Sequence, residues 1–167
     1  MRSILVFADR SAASPARLET ALSLARMTNG HVSVLVDTPV AHFMSIDAMG
    51  GSYIAADAIS DALARDDAYA EGVAAHLRRE DVPFDVLRCE DEPVDALVQA
   101  ALLADVIVLS RESDFAGDIA VASHTPVLLV SDGQPLTLPL RRVCVAWDGG
   151  EEAVSYTHLT LPTNREV

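Results

Sequence analysis

Two kinds of segment alternate along the first 131 residues of the chain. Short apolar runs rich in branched aliphatic residues are typical of strands buried on both faces of a parallel sheet. Longer segments with apolar residues three or four positions apart are typical of amphipathic helices. The runs predicted as strands cover residues 3–8, 31–36, 84–87, 106–109 and 126–130. A helical segment follows each of the first four runs.

The first helical segment has clear start and stop signals. Ser14 followed by Pro15 predicts its beginning, with the Ser14 hydroxyl capping free backbone N–H groups. Asn29-Gly30 predicts its end. The other helices are predicted at 55–79, which is the longest, at 93–103 and briefly between the last two strands.

This order of elements predicts an α/β fold, a five-stranded parallel doubly wound sheet with helices on both faces. Ligands of such sheets bind beside the carboxyl ends of the strands, so a site is expected where the segment opens at Ser110. Residues 38–53 show no stable period and contain Met44 and Met49. We expect a long flexible connection there, over the same edge of the sheet.

The C-terminal part repeats the beginning of the chain. Residues 132–140 have the proline- and glycine-containing composition of a linker. Residues 2–11, RSILVFADRS, are mirrored by RRVCVAWDGG at 141–150, which predicts the first strand of a truncated second copy over 141–153. Residues 154–167 show no helical period and are typical of a non-native tail. One complete domain, residues 1–131, is therefore expected.

The charge of the chain excludes several function classes. The net charge is −13 at pH 7, which disfavours nucleic acid, anionic membranes and phosphate ligands as partners. All 12 basic residues are arginine. Without lysine the chain can have no Walker-A lysine and can form no Schiff base. It also lacks the lysine of a phospho-acceptor receiver domain, so a receiver function ranks last among the hypotheses.

Cysteine usage and the N-terminus favour a cytoplasmic protein. The two cysteines, Cys89 and Cys144, are an unlikely disulfide framework and fit a reducing compartment. The first apolar run is shorter than a signal-peptide core, and no run approaches membrane-spanning length. The five histidines lie on separate elements without paired ligand spacing, so no metal site is expected.

Three stretches resemble the universal stress protein family. They are Asp9-Arg10-Ser11, DEPVDALVQAALLADVIVLS at 91–110 and SHTPVLLV at 123–130. The resemblance covers about residues 1–131. It implies a flavodoxin-like, Rossmann-like strand order, 3-2-1-4-5, and a family divided into members that bind ATP and members that do not.

Members that bind ATP carry two glycines separated by two residues after the fourth strand, then, nine residues further, glycine followed by serine or threonine. Glycines let backbone N–H groups approach phosphate oxygens. In this chain Ser110 and Ser113 occupy the first two positions, and Gly117 lies too early. Glu112 and Asp114 would each cost on the order of 1 kcal/mol against a polyanion. We therefore expect no resident cofactor, ATP being possible but disfavoured.

The resemblance implies five nucleotide-binding candidates. Asp9 and Ser11 would face a nucleotide, Val36 would hold adenine through its backbone, and Ser110 and Ser113 would lie at the phosphates. Asp9 can equally cap a turn or the following helix, and Ser11 can be a turn residue. Asp37, near the expected adenine position, can be a solvated strand end.

Three functions remain to be compared with the structure. The first is a non-enzymatic stress-response binding or interaction module with a degenerate nucleotide site, and the second is an ATP-binding domain. The third is a phospho-acceptor receiver, which the absence of lysine ranks last. A hydrolase triad of Ser110 or Ser123 with His124 and a nearby aspartate is disfavoured, because no Gly-x-Ser-x-Gly motif is present. The expected partner is a second copy of the chain or a tandem domain, since a truncated partner leaves apolar surface uncovered.

Overall fold

The computed structural model describes residues 2–46, 52–54, 56–140 and 142–144. The main-sheet strands are β1 (Ser3–Phe7), β2 (His31–Asp37), β5 (Phe84–Cys89), β6 (Val106–Ser110) and β7 (Val127–Val130). Their order is β5-β2-β1-β6-β7 and all neighbours are parallel. The predicted five-stranded sheet with order 3-2-1-4-5 is confirmed.

Helices cover both faces of this sheet. They are α1 (Ser14–Thr28), α2 (Ala56–Leu77), α3 (Pro93–Ala101) and α4 (Ala116–Ala122). Ile4 and Val6 of β1 belong to the core cluster that includes α1 and α2, whereas Leu5 and Phe7 belong to the cluster that includes α3 and α4. Because both faces are covered, all five residues of β6 are buried, which explains the apolar run of its first four residues.

The end of α1 follows the predicted stop signal. Asn29 adopts the left-handed conformation with φ of 49°, and the Gly30 N–H donates to the Ala25 carbonyl at 2.9 Å. A Cβ at Gly30 would lie 2.9 Å from the carbonyl oxygen of Arg2. Glycine is therefore required there by close backbone approach.

The beginning of α1 differs from the prediction. Ala13, not Ser14, occupies the cap position, and no side chain caps the helix. The Ser14 hydroxyl is instead buried and shares a 2.7 Å hydrogen bond with the Tyr69 hydroxyl of α2. The predicted capping role was wrong because a partner on another helix takes the hydroxyl.

The connection between β2 and α2 also has more regular structure than expected. A 3₁₀ turn spans Val40–Phe43, and β3 (Met44–Ile46) pairs antiparallel with β4 (Ser52–Ile54). The sequence lacked any period because each of these strands has only three residues. Met49 lies outside the described residues.

The predicted linker runs back over α1, where the Leu136 N–H donates to the Thr20 hydroxyl at 2.9 Å. Residues 142–144 form neither helix nor strand. The other residues of the predicted second copy, 141 and 145–153, and the predicted tail, 154–167, lie outside the described part of the chain. None of the described helices has the length and apolar character needed to cross a membrane.

Candidate functional site

Among the cavities that the described residues form at the carboxyl edge of the main sheet, two flank β1, one on each side. The β6-side cavity has a volume of about 580 Å³ and includes Ser110 and Ser113 in its lining. The β2-side cavity has a volume of about 380 Å³ and is lined in part by Val36. Asp9 and Ser11 line both cavities. The fold thus brings the five candidate residues to one edge, beside the switch in strand order between β1 and β6.

Asp9 is the centre of a hydrogen-bond network. It follows β1, where the chain turns toward α1. Its Oδ1 accepts hydrogen bonds from the Ser11 backbone N–H at 3.0 Å, the Ser11 hydroxyl at 2.5 Å and Nη2 of Arg17 at 2.6 Å. Three donors at the mouth of both cavities are therefore directed at a carboxylate of the protein itself.

Arg17 lines the β6-side cavity and was not identified from the sequence. Its side chain is only 4 % exposed, and Nη1 donates to the Ser110 hydroxyl. Its guanidinium carbon lies 5.9 Å from the ring centroid of Phe7, which also contacts Phe115 edge to face. Arg17 lies four residues before Ala21, on the apolar repeat of α1. A basic residue on the apolar face of a predicted helix was the signal that could have identified Arg17 as a site residue.

The turn after β6 has already used much of its backbone hydrogen-bonding capacity. The Arg111 N–H donates to the Val130 carbonyl at 2.8 Å, and the Ser113 N–H donates to the Ser110 carbonyl at 3.1 Å. The following helix, α4, has only seven residues. A Cβ at Gly117 would have no neighbour within 4 Å, so this glycine is not required by crowding.

The charged groups of the β6-side cavity are mostly negative. Within the described part of the chain, Arg17 is its only basic lining residue. The acidic lining residues are Asp9, Glu112, Asp114 and Asp132. Since Asp9 is paired with Arg17, the other three carboxylates give the cavity an excess of negative charge.

The β2-side cavity contains an unusual carboxyl group. Both oxygens of Asp37 are buried and have no hydrogen-bond partner within the described residues. Burial, reinforced by the nearby carboxylates of Glu92, Asp91 and Asp66 and partly offset by the neighbouring Thr38 backbone N–H, raises the pKa of Asp37 to about 7. The expectation of a solvated strand end was therefore incomplete, because the turn after β2 encloses the carboxyl group.

Three other polar residues of this cavity, Arg10, Thr38 and Asp66, are paired. Arg10 forms an ion pair with Asp66 at 3.3 Å, and the Thr38 hydroxyl donates to Asp66 at 2.9 Å. The Thr38 N–H donates to the Cys89 carbonyl. Apolar wall atoms come from Val36, Pro39, Phe43 and Ala62.

The serine and histidine residues do not form a hydrolase triad. The Ser123 hydroxyl donates to the Ile119 carbonyl at 2.7 Å, and the Ser110 hydroxyl is bonded to Arg17. His124 is exposed and adopts a positive φ of 55°. Among the described residues, no group of three or more histidine, cysteine or acidic side chains could hold a metal ion.

Comparison with known proteins gives a family match over most of the chain. The model of the universal stress protein family matches residues 1–131. No curated protein shows a significant sequence match. Similar solved structures are universal stress proteins, which share the fold at low sequence identity.

Three of these structures illustrate the similarity. A universal stress protein from Burkholderia pseudomallei has 22 % identity and a TM-score of 0.58, with 77 % of this chain and 94 % of that chain covered. UspA from Lactobacillus plantarum has 14 % identity and a TM-score of 0.59, with coverage of 77 % and 97 %. A universal stress protein from Archaeoglobus fulgidus has 17 % identity and a TM-score of 0.56, with coverage of 77 % and 98 %.

Proposed function

Because the chain belongs to the universal stress protein family, we propose that it is a non-enzymatic stress-response binding module whose nucleotide site is degenerate. The observation that carries this proposal is the network at Asp9. Its Oδ1 accepts hydrogen bonds from Ser11 and Arg17, so these donors at the edge of the sheet are already directed at a carboxylate of the protein.

The charges of the β6-side cavity support the same conclusion. A triphosphate entering it would meet Glu112, Asp114 and Asp132, while Arg17 is already held by Asp9 and Ser110. Each carboxylate within about 4 Å of a phosphate charge costs roughly 1 kcal/mol in water, which weakens binding about fivefold. The net effect is strong discrimination against ATP.

The turn that would hold the phosphates supports it as well. Phosphate sites of this kind depend on several backbone N–H groups that converge on one anion. Here the N–H groups of Arg111 and Ser113 donate to carbonyl oxygens. These two N–H groups are therefore not directed at a ligand.

Titration calorimetry with ATP and Mg²⁺ tests the proposal. We expect a dissociation constant weaker than about 1 mM. The triple variant Glu112→Gln, Asp114→Asn and Asp132→Asn is expected to bind ATP more tightly than the native chain. Three other exposed carboxylates provide the matched control for net charge. The control variant carries Asp57→Asn, Asp61→Asn and Asp118→Asn, and we expect it to bind ATP as weakly as the native chain.

Adenine-nucleotide binding is the alternative, and the two adjacent cavities favour it. They would accommodate the base beside Val36 and the phosphates beside Ser110 and Ser113, with Asp9 between them. Micromolar binding of ATP by the native chain would establish this alternative and refute the degenerate site.

A further inference from the structure

Residues 132–136, which we call the strap, lead from the end of β7 to the middle of α1. The first four strap residues are exposed, and Leu136 is half-buried. The Leu136 N–H donates to the hydroxyl of Thr20 on α1 at 2.9 Å, and Thr20 is fully buried. Within the described part of the chain, this is the only hydrogen bond that joins the strap to a helix or a strand.

The strap forms part of the wall of the β6-side cavity. Asp132 and Gly133 belong to the lining of that cavity. A tight turn places them there: the Gln134 N–H donates to the Ser131 carbonyl at 3.3 Å, and Gly133 has a φ of 74°, in the region that favours glycine. A Cβ at Gly133 would have no neighbour within 4 Å, so the turn depends on its own backbone conformation rather than on packing at this residue.

The hydrogen bond that holds the strap lies close to the cation of the cavity. Arg17 and Thr20 are three residues apart on α1 and therefore neighbours on the same side of the helix. Arg17 lines the cavity, and Thr20 holds the strap. The strap thus runs from the wall of the cavity to a point one helical turn beyond Arg17.

Few interactions oppose displacement of the strap. Segments with exposed residues and few hydrogen bonds open at a low cost in free energy, well below that of global unfolding. One neutral hydrogen bond favours the bonded state by about fivefold. Displacement would take the Asp132 carboxylate away from the cavity, whereas Glu112 and Asp114, which precede α4, would remain in the lining.

We propose that the strap is a releasable wall of the β6-side cavity: the Leu136–Thr20 hydrogen bond holds it closed, and its release opens the cavity and withdraws the Asp132 carboxylate. The inference rests on the proposed function, because it assigns a regulatory device to the site that disfavours polyphosphates. The strap continues directly into residues 137–140. A partner that binds this segment in the released position and an anion that enters the open cavity therefore favour the same state of the chain.

A pair of threonine variants tests the hydrogen bond that holds the strap. The Thr20 and Thr28 hydroxyls each donate at 2.8 Å to the carbonyl four residues earlier in α1, but only Thr20 also accepts from the strap. Hydrogen exchange followed by NMR should show about fivefold weaker protection of the Leu136 N–H in Thr20→Val than in the native chain, and native protection in Thr28→Val. Unchanged protection in Thr20→Val, or an equal loss in both variants, would overturn the proposal.

NMR titration with ATP and Mg²⁺ tests whether the strap closes the cavity. Thr20→Val should bind ATP up to about fivefold more tightly than the native chain, which is the effect of one carboxylate, and Thr28→Val should bind like the native chain. Leu136→Pro removes the N–H donor without changing α1, and it should reproduce the gain. An affinity that neither Thr20→Val nor Leu136→Pro increases would overturn the proposal.

The Asp132→Asn background assigns the gain to one carboxylate. Asp132→Asn alone should increase the affinity for ATP, and adding Thr20→Val to it should bring no further gain. A full additional gain in that background would refute the role of Asp132. Micromolar binding of ATP by the native chain would refute the proposed function, whereas the exchange of the Leu136 N–H would still report on the strap, so the two failures are distinguishable.

Discussion

Replacing Asp37 with asparagine removes an ionisable group from a place where its charged form is unfavourable. The pKa of Asp37 is about 7 in the folded chain, compared with an ordinary value of 3.8. A folded-state pKa above the unfolded value contributes stability that is complete below about pH 4 and is lost as the pH rises toward 7. The Asp37→Asn variant should not show this loss.

The size of the effect follows from the difference between the two pKa values. Between them, the free energy of unfolding falls by about 1.4 kcal/mol per pH unit, so the full loss approaches about 4 kcal/mol. From pH 5 to pH 8 only the upper part of that range is crossed, roughly 2 pH units, or about 3 kcal/mol. Solvent that reaches the open cavity reduces the expected difference to about 2 kcal/mol.

Urea unfolding of both chains at pH 5 and pH 8 measures this difference. The advantage of the variant over the native chain should be about 2 kcal/mol larger at pH 8 than at pH 5. Effects of asparagine that do not involve ionisation cancel in this comparison. An advantage that is equal at the two pH values, or larger at pH 5, would refute the assignment of a buried, unpaired carboxyl group.

Three further predictions concern other parts of the fold. Arg17→Met should lower the free energy of unfolding by about 2 kcal/mol in a urea titration, because Asp9 loses its buried cationic partner but stays partly solvated. An unchanged free energy of unfolding would contradict a stabilising ion pair between Arg17 and Asp9. Gly30→Ala should cost about 1–3 kcal/mol in thermal unfolding, since its Cβ would press on the Arg2 carbonyl, and an unchanged midpoint would argue against that close approach. Light scattering should show that the native chain is a dimer. Leu129→Glu should weaken this dimer, because Leu129 is 46 % exposed on the edge strand β7. A native chain that is monomeric at every concentration would exclude the dimer.

The sheet could be predicted from the sequence because its strands are buried on both faces. Burial of β6 on both sides requires an uninterrupted apolar run, and such runs are visible without knowledge of the partners. The stop of α1 was also predictable, since Asn29-Gly30 acts through local backbone conformation. The β3–β4 hairpin was missed because strands of three residues are too short to show a period.

The candidate site was only half predictable. Asp9, Ser11 and Ser110 could be identified because each follows a predicted strand. The role of Arg17 depends on the packing of α1 against the sheet. This packing brings Arg17, which lies on the apolar repeat of α1, to Asp9 after β1 and to Ser110 of β6. The raised pKa of Asp37 depends likewise on its burial in the fold and on acidic residues distant in sequence.

The sequence by itself determined the α/β layers, the parallel strands and the edge at which a site must lie, because hydrophobic periodicity and turn residues act over a few positions. Only the tertiary structure decided which donors are already occupied and which carboxyl group is buried without a side-chain partner among the described residues. Those properties depend on the distances and burial of atoms far apart in the chain, which no local pattern of residues records.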